Sequence, residues 1–136
     1  MKGQNYEAHG RVILSLVAMA LLLYSCGSSS NTGGSASSAF VQVVTCPATP
    51  AADVSITGAT ASGFQPGTVS IAPNDIVRWT NNDSAVPDHT VTSATGKFDS
   101  GNVPSGHTVC MQFLVAGSYG YYCTIHSFMT GVVNVQ

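Results

Sequence analysis

The segment Cys123-Thr124-Ile125-His126-Ser127-Phe128-Met129 carries a thiol, an imidazole and a thioether within seven residues. These are soft donors of the kind that select copper, and two imidazoles, a thiolate and a weak axial thioether make a one-electron copper site. The spacing Cys-x2-His-x2-Met supplies three of those four ligands from one loop. The fourth must come from elsewhere, and His89 in Asp88-His89-Thr90-Val91 is the expected donor. Taken singly, a Cys or a Met is more often core filling than ligand. It is their combination with His126 at this spacing, between two strand-like stretches, that points to a metal.

Short strands must position these donors. Segments 54–56, 68–71, 76–80, 90–93, 108–114, 118–123 and 131–135 are rich in Val, Ile, Thr, Tyr and Phe and read as strands. Pro66-Gly67, Pro73-Asn74-Asp75, Asn81-Asn82-Asp83, Pro104-Ser105-Gly106 and Ala116-Gly117 are turns between them. No stretch after residue 40 has a helical period, so the expected fold is all-β, a sandwich or barrel. Alternation along Tyr119-Gly120-Tyr121-Tyr122-Cys123 puts Tyr119, Tyr121 and Cys123 on one face and Tyr122 on the other. With Cys123 turned inward toward a metal, Tyr121 is expected in the core and Tyr122 at the surface. The same pattern places Val77 and Trp79 opposite Arg78.

Ahead of these strands the chain changes character. Lys2 and Arg11 precede an apolar run from Val12 to Leu23, too short for the roughly 20 residues that span a bilayer, so 1–25 reads as a signal peptide. Leu22-Leu23-Tyr24-Ser25-Cys26-Gly27 resembles a bacterial lipobox with Cys26 as the lipidated residue. That resemblance implies an exported lipoprotein, periplasmic or on the cell surface, anchored in a membrane by more than one acyl chain. Segment 26–39 is almost wholly Ser, Gly, Ala, Asn and Thr and reads as a flexible linker. A single folded domain is expected over 40–136, although 40–52 does not declare itself as a strand.

Past the leader, Arg78 and Lys97 face Asp53, Asp75, Asp83, Asp88 and Asp99, a net charge of −3 from two cations and five anions. No basic patch exists, which argues against nucleic acid as a partner. Two cysteines remain once Cys26 and Cys123 are set aside. Val109, Met111 and Phe113 share the face expected in the core, so Cys110 points away from it, toward the N-terminal segment that holds Cys46. A Cys46–Cys110 disulfide is the expected pairing in an exported protein.

Tyr121-Tyr122-Cys123-Thr124-Ile125-His126-Ser127-Phe128-Met129-Thr130-Gly131 resembles the copper loop of cupredoxins of the plastocyanin class, and its short form is similar to amicyanin. The likeness extends through Ile76-Val77-Arg78-Trp79-Thr80-Asn81, His89-Thr90-Val91-Thr92-Ser93, Gly96-Lys97-Phe98-Asp99-Ser100-Gly101 and Pro104-Ser105-Gly106, covering about residues 53–136. It implies a Greek-key β-sandwich holding one type 1 copper ion, with His89, Cys123, His126 and Met129 as ligands. Ile125 and Ser127 stand where amicyanin-like loops often carry prolines. Thr90 stands where plastocyanins have an Asn that ties the two ligand loops together. His107 maps to a polar surface position.

The resemblance implies a one-electron carrier rather than an enzyme, since four protein ligands leave no open coordination position. Electrons would pass at the ring edge of His126, flanked by Phe128 and Ile125, with Tyr122 as a second route. Partners would be a redox donor and acceptor met transiently by a monomer. The alternative reading is a copper chaperone or reservoir, which calls for a more open and exchangeable site.

Overall fold

Alternating burial builds the sandwich. The structure is a computed structural model and describes residues 39–136; the leader, Cys26 and the linker up to residue 38 lie outside them. Eleven strands follow in order: β1 Val41–Val44, β2 Ala52–Ile56, β3 Phe64–Gln65, β4 Thr68–Ile71, β5 Ile76–Asn81, β6 Asp88–His89, β7 Thr92–Ser93, β8 Val103–Pro104, β9 Thr108–Phe113, β10 Gly117–Tyr122 and β11 Thr130–Val135. One sheet runs β1-β9-β5-β2-β3, a second β4-β11-β10-β7, and β6 pairs with β8 in a short ribbon. Two pairings, β2 with β5 and β4 with β11, are parallel. Among the described residues no helix is long and apolar enough to cross a membrane.

In β5, Val77, Trp79 and Asn81 are buried while Ile76, Arg78 and Thr80 are half-buried. In β10, Tyr119 and Tyr121 turn inward, and in β11 Gly131, Val133 and Val135 do. The two inner faces meet in an aromatic core. Tyr121 lies edge-on to Trp79 at 5.5 Å and to Phe64 at 4.9 Å, and Phe113 meets Phe98 and Tyr119 edge-on at 5.7 and 5.2 Å. Edge-to-face pairs add about 0.5–1.5 kcal/mol each beyond area burial. Gly131 is required under Tyr121, because a Cβ there would meet the ring's Cε2 at 2.8 Å.

The structure departs from the sequence expectations at residues 90–93 and at Val109, and it shows where segment 40–52 and Cys110 lie. Segment 40–52 does contribute an edge strand, β1, paired antiparallel with β9. Residues 90–93 are not one strand: Thr90 and Val91 interrupt it, because the Thr90 amide donates to Cys123 Sγ and the Val91 amide to Ser100 Oγ, leaving no ladder to extend. Val109 is half-buried rather than a full core residue, unlike Met111 and Phe113. Cys110 turns away from Met111 yet is only 1% exposed, since a disulfide joins it to Cys46 across a Cα–Cα distance of 5.1 Å.

Candidate metal centre

At the point where β10 ends, the chain leaves the sheet with Cys123 already fully buried. The following loop closes on itself through two backbone hydrogen bonds: Met129 N–H donates to His126 O at 2.8 Å, and Cys123 N–H donates to Met129 O at 3.1 Å. A loop stapled this way holds its side chains on one side of a short turn. Gly63, just ahead of β3, makes room for it, for a Cβ there would lie 2.6 Å from Met129 Cε.

The other donor arrives from the turn between β5 and β7. His89, at the end of β6, is buried completely. Its Nδ1 lies 3.8 Å from Cys123 Sγ, and His126 Nδ1 lies 3.7 Å from the same sulfur. The three ligand atoms fall within 4.8 Å of one another, and the two rings are 5.0 Å apart. Met129 is buried beside them in the same closed loop. His126 is half-buried, with its ring 6.2 Å from that of Phe128.

Copper fits this set. Metal bonds of roughly 2.0 Å to nitrogen and 2.3 Å to sulfur, opened by about 110–120°, separate the donor atoms by about 3.5–3.8 Å. Both imidazoles stand at that separation from the sulfur, with their Nδ1 atoms turned inward. The donor set of two imidazoles and one thiolate, with a thioether on the same loop, suits copper in either oxidation state.

Thr90 ties the two ligand loops together. Its amide donates to Cys123 Sγ at 3.3 Å, and its Oγ1 accepts the Thr124 amide at 2.8 Å. The same hydroxyl meets Thr92 Oγ1 and Thr124 Oγ1 at 3.0 and 3.1 Å, and Thr92 Oγ1 in turn donates to Asp99. A hydroxyl and a backbone amide therefore do the work of a longer amide side chain. Asp99 also accepts the Gly101 amide, a loop-fastening role.

Sequence reading missed one residue at the site. Asp83 is 5% exposed, and its Oδ2 lies 3.0 Å from His89 Nε2. Its Oδ1 accepts the amides of Ala85 and Val86 at 2.9 and 3.2 Å. The His89 hydrogen bond, then those two amides, hold its carboxyl below the usual carboxylate range against the opposing effect of burial. Its only sequence signal was a carboxylate six residues ahead of a candidate ligand. His107 is exposed and its Nδ1 faces the Ser105 carbonyl, away from the ligand set.

No protein-family model matches the chain. Over 85 residues it is 32% identical to a plastocyanin from Scenedesmus fuscus, covering 54% of this chain and 86% of that one. It is 38% identical over 85 residues to a chloroplastic plastocyanin from Tetradesmus obliquus, of which it spans only 58% of the length. Among solved structures, a purple cupredoxin from Nitrosopumilus maritimus superimposes with a TM-score of 0.55 at 30% identity, covering 62% of this chain and 99% of that one. Amicyanin from Paracoccus versutus shares the fold, with a TM-score of 0.59 at 24% identity over 71% of this chain and 97% of its own.

Proposed function

The chain belongs to the cupredoxin family, and from that footing we propose that it is a single-electron carrier working outside the cytoplasm. When bound, copper supplies a one-electron couple between Cu(II) and Cu(I). His89, Cys123 and His126 would hold it, and the Met129 thioether on the same loop would be a further, weaker donor. A buried thiolate and a buried histidine exclude water, and the closed loop limits how far the ligands move between oxidation states. A saturated ligand set offers no position for a substrate, so the reading is a carrier and not an enzyme.

One observation carries the proposal: the ligand set is buried except at His126, and apolar side chains surround that exit. Ile125 is 51% exposed and Phe128 55%. An apolar patch of this size suits brief contact with a redox donor and then an acceptor. Tyr122, half-buried and adjacent to Cys123, offers a second through-bond route. Leader and lipobox resemblance support export and tethering at Cys26, with the 26–39 linker giving the domain reach.

Adding Cu(II) to the folded domain tests the centre. Intense blue thiolate-to-copper absorption, lost in Cys123→Ser, is the expected result. Colourless Cu(I) binding with rapid loss to a chelator would instead establish a chaperone or reservoir. For the exit route, Phe128→Ser should slow electron self-exchange, measured by NMR line broadening in mixed oxidation states, while leaving the colour intact. For the tether, intact mass of the membrane fraction should show an acylated N-terminal Cys26; an unmodified or uncleaved chain refutes anchoring.

A further inference from the structure

The two histidines of the centre are held unequally, and the difference lies behind His89. Asp83 Oδ1 is engaged by two backbone amides, so the carboxylate cannot swing away without stranding them. Its own amide donates to Asn81 Oδ1 at 3.0 Å, and Asn81 Nδ2 donates to the carbonyls of Pro87 and Val103 at 2.9 and 2.8 Å. Asn81 is fully buried, at the end of β5. The turn is thus pinned to β5 and β8, and Oδ2 is left facing His89 Nε2 at 3.0 Å.

An ionised carboxylate only accepts hydrogen bonds, so the shared proton sits on His89 Nε2. A neutral imidazole with Nε2 protonated has its lone pair on Nδ1, the atom that faces Cys123 Sγ. We propose that Asp83 is a positioning residue for the centre: it locks His89 in the metal-binding tautomer, and its buried negative charge favours Cu(II) over Cu(I). The charge half of this rests on the copper reading above; the tautomer half does not. A carboxylate behind a ligating histidine both orients the ring and raises its basicity. With Asp83 and His89 both excluded from water, the charge is weakly screened. His126 is half-buried at the apolar exit, so the two imidazoles divide the labour: one anchors and tunes, the other passes electrons.

Two measurements test this. Long-range proton–nitrogen correlation NMR on the copper-free wild-type domain at pH 8 should show His89 protonated on Nε2. Finding the proton on Nδ1 overturns the lock, and the experiment needs neither a variant nor metal. Voltammetry of the copper-loaded Asp83→Asn protein, which keeps the shape but loses the charge, should show at least a tenfold shift of preference toward Cu(I). Tenfold corresponds to about 59 mV upward for one electron. Asp83→Glu, which restores the charge, should recover part of that shift. An unchanged potential in a correctly folded, blue Asp83→Asn protein overturns the charge effect. If the wild type itself fails to turn blue, the copper reading falls while the tautomer result still decides the lock.

Discussion

Tyr121 sits two residues before Cys123 and carries the clearest energetic consequence of this core. Its ring is 2% exposed, wedged among Trp79, Phe64 and Gly131. Among the described residues, neither its Oη nor Trp79 Nε1 makes a hydrogen bond of ordinary geometry. Burial pushes the phenol up to about 12 from an ordinary value of 10.0, the neighbouring Trp79 N–H opposing this only in part. The folded state therefore keeps its proton where the unfolded chain has released it. Stability from this group is complete below pH 10 and declines as pH rises toward 12. At pH 11 the unfolded phenol is ionised by about ten to one and the folded one stays neutral by about ten to one, which costs about 1.4 kcal/mol; the full loss is about 3 kcal/mol. Tyr121→Phe removes the group and with it the decline. At pH 7 the variant should match or slightly exceed wild type, since a buried hydroxyl without a partner is a liability. The assay is urea unfolding of the copper-free domain at pH 7 and pH 11, wild type against Tyr121→Phe. Tyr119, also raised by burial, is present in both proteins and cancels in the difference. Parallel stability profiles across that range would refute the reasoning. So would a loss of more than about 2 kcal/mol at pH 7, the cost of breaking a satisfied buried hydrogen bond.

Thr90→Val removes the hydroxyl that accepts the Thr124 amide while keeping the amide bond to Cys123; unfolding should show a loss of about 1–2 kcal/mol with the blue colour retained. Met129→Leu conserves volume in a fully buried site and should cost under about 1.5 kcal/mol. Its copper should stay bound with a changed potential by voltammetry, and loss of binding would contradict a weak-donor role for Met129. Replacing both Cys46 and Cys110 by Ala opens a 64-residue span, and chain entropy puts the loss at about 4 kcal/mol in guanidinium unfolding. Asp53→Asn breaks the Arg78 ion pair, whose side chains are 27% and 57% exposed; the cost should be below about 1 kcal/mol and vanish at high salt.

Legibility in the sequence followed distance along the chain. Cys123, His126 and Met129 could be named together because their chemistry is contiguous and any closed loop brings them near one another. Trp79, Tyr121 and the strands around them were legible because period-two burial is a local property. Segment 90–93 misled for the opposite reason. Its composition reads as strand, but two of its amides bond to the side chains of Cys123 and Ser100, which no local pattern announces.

By itself, then, the sequence determined the donor chemistry and the all-β class. Donor softness and alternation are carried by residue types alone. Only the tertiary structure decided how the site is held. Asp83 meets His89 because Asn81 pins the turn to β8, Thr90 reaches Thr124 because two distant loops close over each other, and β1 brings Cys46 to Cys110. Each of these contacts depends on where loops end in space. Loop closure is a property of the packed sandwich rather than of any one segment.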